Sequence, residues 1–329
     1  MYNLFLIRSP LQLINAIEAQ QYFKTKKNIL CIIHNTSVIN SSHMRKVLPL
    51  NNWDEIIELN PHNHKNSFLN NVKLIKKLQK KHFKYIFTGD IGNINTAFIS
   101  SLRKNETYLL DDGTLTLVSH KILNHPYEKE KWNKTLKRNR YKVFGLNCNL
   151  KNEAINYFTL FEIQAHSNEK IVKNEFTFFK KTFLTALKKD LNTVYFIGQN
   201  LLVENIVSEK TYFWYLKNII KYYKDKTIIY YPHRFEKITD SYSVIESENF
   251  IIKKSSQPIE VELLTKKMYP MYIASFVSSA LSSLQKIFQD ASIDSFVIKQ
   301  SELLNHQKDF KLIYENQTKS INQIELNNK

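Results

Sequence analysis

Two aspartates and a glycine follow an apolar pair in Leu109-Leu110-Asp111-Asp112-Gly113-Thr114. If the leucines end a strand, both carboxylates stand at its carboxyl end, where open α/β sheets bind their ligands. Gly113 permits a sharp turn. Adjacent carboxylates can divide labour, one held by hydrogen bonds while the other accepts a proton. A turn with helix-capping aspartates is the plainer alternative. A divalent ion held through a nucleotide phosphate is a third use of the pair, but no His/Asp/Glu group has the spacing of metal ligands, so no metal site is expected.

A second group of candidates lies farther along. Tyr230-Tyr231-Pro232-His233-Arg234 again follows a strand-like run, and His233 and Arg234 could both meet a phosphate on a backbone fixed by Pro232. Phe276-Val277-Ser278-Ser279-Ala280 offers two hydroxyls and nearby N–H groups that could cradle an anion at a helix start. Glu260 and Glu262 sit at another helix start, where Glu260 also complements the helix dipole. A satisfied histidine and an ordinary serine-containing loop are the plain alternatives.

These side chains need elements to hold them. Residues 3–7 form a strand-length apolar run, and Ser9-Pro10 then opens a helical pattern, serine as N-cap and proline at the first helical position. Strands are expected at 29–34, 55–59, 85–88 and 107–110, with helices at 68–78 and 95–102. Alternation of this kind marks a parallel sheet with helices on both faces. Residues 120–192 are charged and weakly periodic. The alternation then restarts, with strands at 194–197, 227–231, 250–253 and 295–298 and helices at 208–223 and 259–265. Two domains follow, residues 1–189 and 190–329, and the polar tail from Glu315 onward reads as a loose end or a short closing helix.

Composition bounds the rest. A chain of 329 residues suits two cores, and 21 Phe and 18 Tyr against 5 Gly and 7 Pro argue for packed domains without long linkers. Cys31 and Cys148 have no metal-ligand or disulfide spacing and read as buried thiols. Nothing at the N-terminus reads as a signal peptide, and no run reaches the ~20 apolar residues of a membrane span, so the expected compartment is the cytoplasm. The net charge of +17 spreads over basic stretches at 24–27, 73–84, 129–142 and 180–189. It would attract nucleic acid, anionic lipid or a phosphorylated substrate. A helix-turn-helix, zinc-finger or RNP signature is missing, and the aromatics read as core, so no nucleic-acid partner is expected.

The order of motifs, an acidic pair with glycine, then histidine, glutamate and a serine pair, resembles the bacterial sialyltransferases. Ser9-Pro10-Leu11-Gln12-Leu13 after the first strand is similar to the opening of glycosyltransferase family 52, the lipooligosaccharide sialyltransferases. The resemblance implies a GT-B-like fold, two Rossmann-type domains with a cleft between them, and an inverting, metal-independent transfer of sialic acid from CMP-sialic acid to a lipooligosaccharide or capsule glycan. No cofactor is implied. Asp111 would be the general base, with Asp112 positioning it or exchanging roles and Glu204 in reserve. His233 would assist the departing phosphate, with Arg234, Ser278 and Ser279 beside it, and Glu260 would bind the ribose. Ser9, Pro10 and Gln12 would line the acceptor side. Two positions depart from the family pattern: Arg234 replaces the proline of a His-Pro motif, and some members place the base just after the first strand of the second domain. The implied partners are a CMP-sugar, a glycan or glycolipid acceptor, the inner membrane surface as a peripheral contact, and a second copy in a homodimer. The alternative is an inverting GT-B transferase using another nonulosonic acid or nucleotide sugar.

Overall fold

The computed structural model describes residues 1–60, 67–125, 139–166, 168–316 and 321–326. It divides into two compact units, Met1–Phe178 and Phe179–Lys329. Most of the basic stretch at 129–142 lies outside the described residues.

In the first unit the elements run β1 (Tyr2–Ile7), α1 (Pro10–Tyr22), β2 (Asn28–Ile33), α2 (Val38–Val47), β3 (Glu55–Leu59), α3 (Ser67–Leu78), β4 (His82–Thr88), α4 (Asn93–Ser101), β5 (Arg103–Leu110), α5 (Leu115–Asn124), β6 (Ile155–Thr159) and β7 (Ile171–Lys173). Every strand pair is parallel, in the order β3-β2-β1-β4-β5-β6-β7. The central strands are covered on both faces, which is why β2 reads as the unbroken run Asn-Ile-Leu-Cys-Ile-Ile, whereas edge strand β3 alternates exposed and half-buried residues. Ser9 caps α1 by accepting the Gln12 N–H at 3.2 Å, with Pro10 next in line. The aromatics are core: Phe5 stacks on Phe87 with ring centroids 4.6 Å apart, and Phe23 packs on Tyr108 at 4.8 Å. Cys31 and Cys148 are buried thiols outside any disulfide, and burial pushes the Cys31 thiol up to about 12.

Helix α6 (Thr177–Phe183) carries the chain into the second unit, which continues with β8 (Lys188–Ile197), α7 (Glu209–Tyr222), β9 (Thr227–Tyr231), β10 (Phe250–Ile252), α8 (Ile259–Leu264), β11 (Met268–Ser275), α9 (Ala280–Ile287), β12 (Ser292–Val297), α10 (Gln307–Asn316) and β13 (Asn322–Glu325). Its sheet is parallel throughout, in the order β10-β9-β8-β11-β12-β13. Both sheets therefore follow the 3-2-1-4-5-6 order of dinucleotide-binding folds, the first with β7 added as a seventh strand. Among the described residues no helix is long and apolar enough to cross a membrane.

Two expectations need correction, and strand β11 stands outside the strands expected. The expected division after Lys189 falls inside β8, and the units part eleven residues earlier, after Phe178 (189 against 178), because residues 188–197 form one continuous strand. Strand β11, central in its sheet, carries Pro270, which argues against a buried strand; the ladder accommodates it where the register shifts between Pro270 and Tyr272. The polar tail adds a strand, β13, parallel to β12, and is not a loose end. Its Ile324 finds a place against the core of the second unit.

Candidate functional site

In the first sheet the strand order reverses between β1 and β4, so their carboxyl ends open the crevice in which such sheets take ligands. Arg8 and Ser9 follow β1, Gly89 to Gly92 follow β4, and Asp111 to Gly113 follow β5. The Ser9 hydroxyl accepts from the Gln12 N–H and donates to Asp112 Oδ1 at 2.8 Å, so one cap residue ties the helix start to the acidic pair. Gln12 is 1% exposed and its Oε1 accepts the Arg8 N–H at 2.8 Å. A Cβ at Gly89 would lie 2.0 Å from Gln12 Cδ, so a larger residue there would have to displace the Gln12 side chain. Arg8 stands 3.8 Å from Asp90, whose carboxyl is raised by burial against the opposing pull of Arg8 and the hydrogen bond from Gly92.

The two aspartates have different surroundings. Asp111 is 1% exposed: Oδ1 accepts the Thr159 hydroxyl at 2.6 Å, Oδ2 accepts the Leu160 N–H at 2.7 Å, and its carbonyl accepts Asn15 Nδ2 at 2.9 Å. Asn174 completes the buried network by donating to Asn15 Oδ1 at 2.8 Å. Burial raises the Asp111 carboxyl to about 7, against the lowering effect of Thr159 and Leu160. Asp112 is half-exposed beyond it, and Gly113 turns the chain at a φ of 61°. Half-exposed Asp112 is the carboxylate of the pair that a ligand can approach.

The second sheet reverses between β8 and β11. Gly198 follows β8 and Phe276 to Ser279 follow β11, while the Ser275 hydroxyl donates to the Ile197 carbonyl at 2.7 Å and ties the two ends together. Half-exposed Ser278 and Ser279 open α9, with Ser278 Oγ accepting the Ala280 N–H at 3.3 Å. His233 and exposed Arg234 form a turn after β9. The imidazole pKa is lowered by burial and by Arg234, while Glu204 raises it. Glu260 on α8 is 5% exposed and accepts the Ser283 hydroxyl at 2.8 Å; burial raises its carboxyl, against the charge of Arg234. Glu204 is exposed and accepts Asn200 Nδ2 at 3.1 Å.

The candidates thus gather by unit. Ser9, Pro10, Gln12, Asp111 and Asp112 meet at one edge, with Pro10 and Gln12 buried in the first turn of helix α1. In the second unit Arg234 and Glu204 act electrostatically on His233, and Arg234 acts on Glu260. Sequence reasoning missed Arg8, Asp90, Thr159 and Glu236. Thr159 lies on β6, inside the charged region that shows little periodicity. Glu236 accepts the His233 N–H at 2.8 Å. Its place two residues after Arg234 was the available signal.

No protein-family model matches the sequence, and no curated protein matches it. Among solved structures the chain is similar to the UDP-GlcNAc 2-epimerase of Methanocaldococcus jannaschii, with a TM-score of 0.53, 13% identity, and 99% of this chain and 89% of that one covered. It is also similar to S. aureus MnaA in a structure with UDP, with a TM-score of 0.53 and 11% identity over 90% of this chain and 79% of that one. The E. coli heptosyltransferase WaaC with ADP aligns at a TM-score of 0.43 and 10% identity over 96% and 97%. Identities this low speak to architecture alone, and with the two parallel sheets they establish a GT-B-like fold of two Rossmann-type domains.

Proposed function

We propose that this chain is an inverting glycosyltransferase that moves a sialic acid, or a related nonulosonic acid, from its CMP-sugar to the hydroxyl of a lipooligosaccharide or capsule glycan. The observation that carries the reading is the complementary chemistry of the two switch-point edges. One edge presents a half-exposed carboxylate, Asp112, steadied by Ser9; the other presents His233, Arg234, Ser278 and Ser279. A proton acceptor and an anion receiver are what a single displacement on a CMP-sugar requires.

In that displacement the acceptor oxygen forms a bond to the anomeric carbon as the bond from that carbon to the phosphate oxygen breaks, with inversion. Asp112 takes the acceptor proton, a contribution of typically ~10²–10⁴-fold. CMP departs with the electron pair, its charge met by Arg234, by the serine hydroxyls and by an N–H of His233, which burial keeps toward its neutral, hydrogen-bonding form. Asp111 takes a different part from the base that the family resemblance implies. Its oxygens are committed to Thr159 and Leu160, and it fixes the turn from which Asp112 projects. Glu260, anchored by Ser283, faces the ribose hydroxyls as part of the same reading. The net charge of +17 suits an anionic donor and an acceptor held among phosphorylated sugars at the inner membrane surface.

The test is direct. Purified protein given CMP-sialic acid and a galactose-terminated acceptor should release CMP, and should continue to do so in excess EDTA. Turnover that stops on chelation and returns with magnesium or manganese would assign the acidic pair to a metal. A second reading, a UDP-sugar enzyme, is favoured by the similarity to a UDP-GlcNAc 2-epimerase and to S. aureus MnaA in a structure with UDP. Consumption of a UDP-sugar with no turnover of the CMP-sugar would decide for it.

A further inference from the structure

The turn that carries His233 and Arg234 also holds a carboxylate that the proposed reaction leaves unused. Glu236 Oε1 accepts the hydroxyls of Tyr212 at 2.8 Å, Tyr230 at 2.5 Å and Tyr242 at 2.5 Å. Its Oε2 accepts the His233 N–H at 2.8 Å, and its own N–H donates to the His233 carbonyl at 2.7 Å. The three tyrosines come from three places: Tyr212 from α7, Tyr230 from β9 and Tyr242 from the 3-10 turn Asp240–Val244. Their hydroxyls replace water around the charge, and their rings are buried and cannot drift.

The arrangement answers a local need. Strand β9 ends at Tyr231 and Pro232 has no N–H, so the His233 amide is the first past the sheet that must find a partner. Glu236 supplies it. The end of β8 is built around the same group: a Cβ on Gly198 would lie 2.5 Å from Glu236 Oε2 and 2.5 Å from the Tyr230 hydroxyl. Gly198 in turn donates to the Tyr231 carbonyl at 2.7 Å. The switch-point end of β8 and the His233 turn are therefore locked through one carboxylate.

We propose that Glu236 is a positioning residue for the leaving phosphate: anchored by Tyr212, Tyr230 and Tyr242, it holds the His233-Arg234 turn in the conformation that meets the donor. This rests on the reading that His233 and Arg234 face the CMP phosphate. The charged groups that act on His233 are Arg234 on its own turn and Glu204 after β8, with burial the largest influence, so release of the turn changes the titration of the imidazole.

Two measurements on the full chain test the role. In the first, without nucleotide, the His233 resonance of histidine-labelled protein is followed against pH in the folded variants Glu236→Gln and Gly198→Ala. A glutamine keeps one acceptor oxygen and cannot serve both the amide and the three hydroxyls, while an alanine at 198 pushes on Oε2. Both variants should move the titration upward, toward the ordinary value of about 6.5, as the imidazole gains solvent. An unmoved titration in both would overturn the proposal. Should Glu236→Gln fail to fold, Tyr242→Phe removes one anchor and carries the same measurement.

The second measurement is a cycle on CMP affinity by calorimetry. Glu236→Gln should weaken CMP roughly tenfold in the wild-type background. In the His233→Ala/Arg234→Ala background it should weaken CMP by less than about twofold, because nothing remains to be positioned. Equal losses in both backgrounds would make Glu236 merely structural. If the His233→Ala/Arg234→Ala pair binds CMP as tightly as wild type, the donor-phosphate reading fails, and the nucleotide-free titration still decides whether Glu236 fixes the turn.

Discussion

At the carboxyl edge of the first sheet the chemistry-bearing side chains are mainly acids, Asp90, Asp111 and Asp112, with Arg8 among them. At the same edge of the second sheet stand His233, Arg234, Ser278 and Ser279, while Glu260 is drawn into the protein and Glu236 is clamped by tyrosines. Strand order does not explain the difference, since both sheets share the 3-2-1-4-5-6 order. Topology fixes where a ligand can sit, and the few residues after each strand fix the sign of what is welcome there. In both units an acid tied into hydrogen bonds supports a neighbouring candidate group. Asp111 is buried beside half-exposed Asp112, and half-buried Glu236 holds the His233 amide. On the proposed reading, the hydrogen-bonded acid shapes the turn from which its neighbour meets the substrate.

The largest effect should come from breaking the acidic edge. Asp112→Asn should lower turnover at least ~100-fold and leave CMP affinity unchanged, as expected for loss of a general base. CMP release and calorimetry measure the two. If Asp112→Asn keeps more than about a tenth of wild-type turnover while Asp111→Asn loses all of it, the two aspartates exchange roles.

Breaking the other edge should look different. On the proposed reading His233 touches the donor in both states, so His233→Ala should lower CMP affinity and turnover together, by roughly tenfold to a hundredfold. A donor with a better leaving group should recover part of the rate. A loss confined to turnover, with CMP affinity intact, would place His233 on the acceptor instead.

A third test concerns the buried acid alone. The Asp111 carboxyl is raised from 3.8 to about 7, so across that window the folded chain keeps a proton that the unfolded chain has lost. Stability should therefore fall as pH rises through it, by up to about 1.4 kcal/mol per pH unit from this group. Asp111→Asn, which mimics the neutral form, should flatten the slope. Denaturant unfolding at several pH values across the window measures it, and an equal slope in both proteins would mean that Asp111 is ionised in its buried setting.

The smallest effect is expected at Glu204, exposed and bonded to Asn200. Glu204→Gln should alter turnover by no more than about twofold. A loss of a hundredfold or more would make it the base and would move proton abstraction to the second unit.

Much of this organisation is legible in the chain. The Ser9-Pro10 helix start, the bounds of β3 and β9, and the place of the acidic pair at a strand end all follow from local patterning that the structure keeps. Strands β6, β7 and β11 escape it for physical reasons. The first two lie in a charged region in which helical and strand periods do not stand out, and β11 contains a proline that only a register shift in the ladder can absorb.

The sequence by itself determined that two parallel α/β sheets would form and that Asp111, Asp112, His233, Arg234 and the serines would stand at strand ends, because apolar runs and turn residues act over a few positions. Only the tertiary structure decided which carboxylate of each group is held in a hydrogen-bond network. Asp111 is distinguished from Asp112 by Thr159 and Leu160, 48 and 49 residues away, and Glu236 is marked out by tyrosines on three separate elements. Burial and hydrogen-bond satisfaction depend on which distant segment packs alongside, and local spacing does not encode that neighbour.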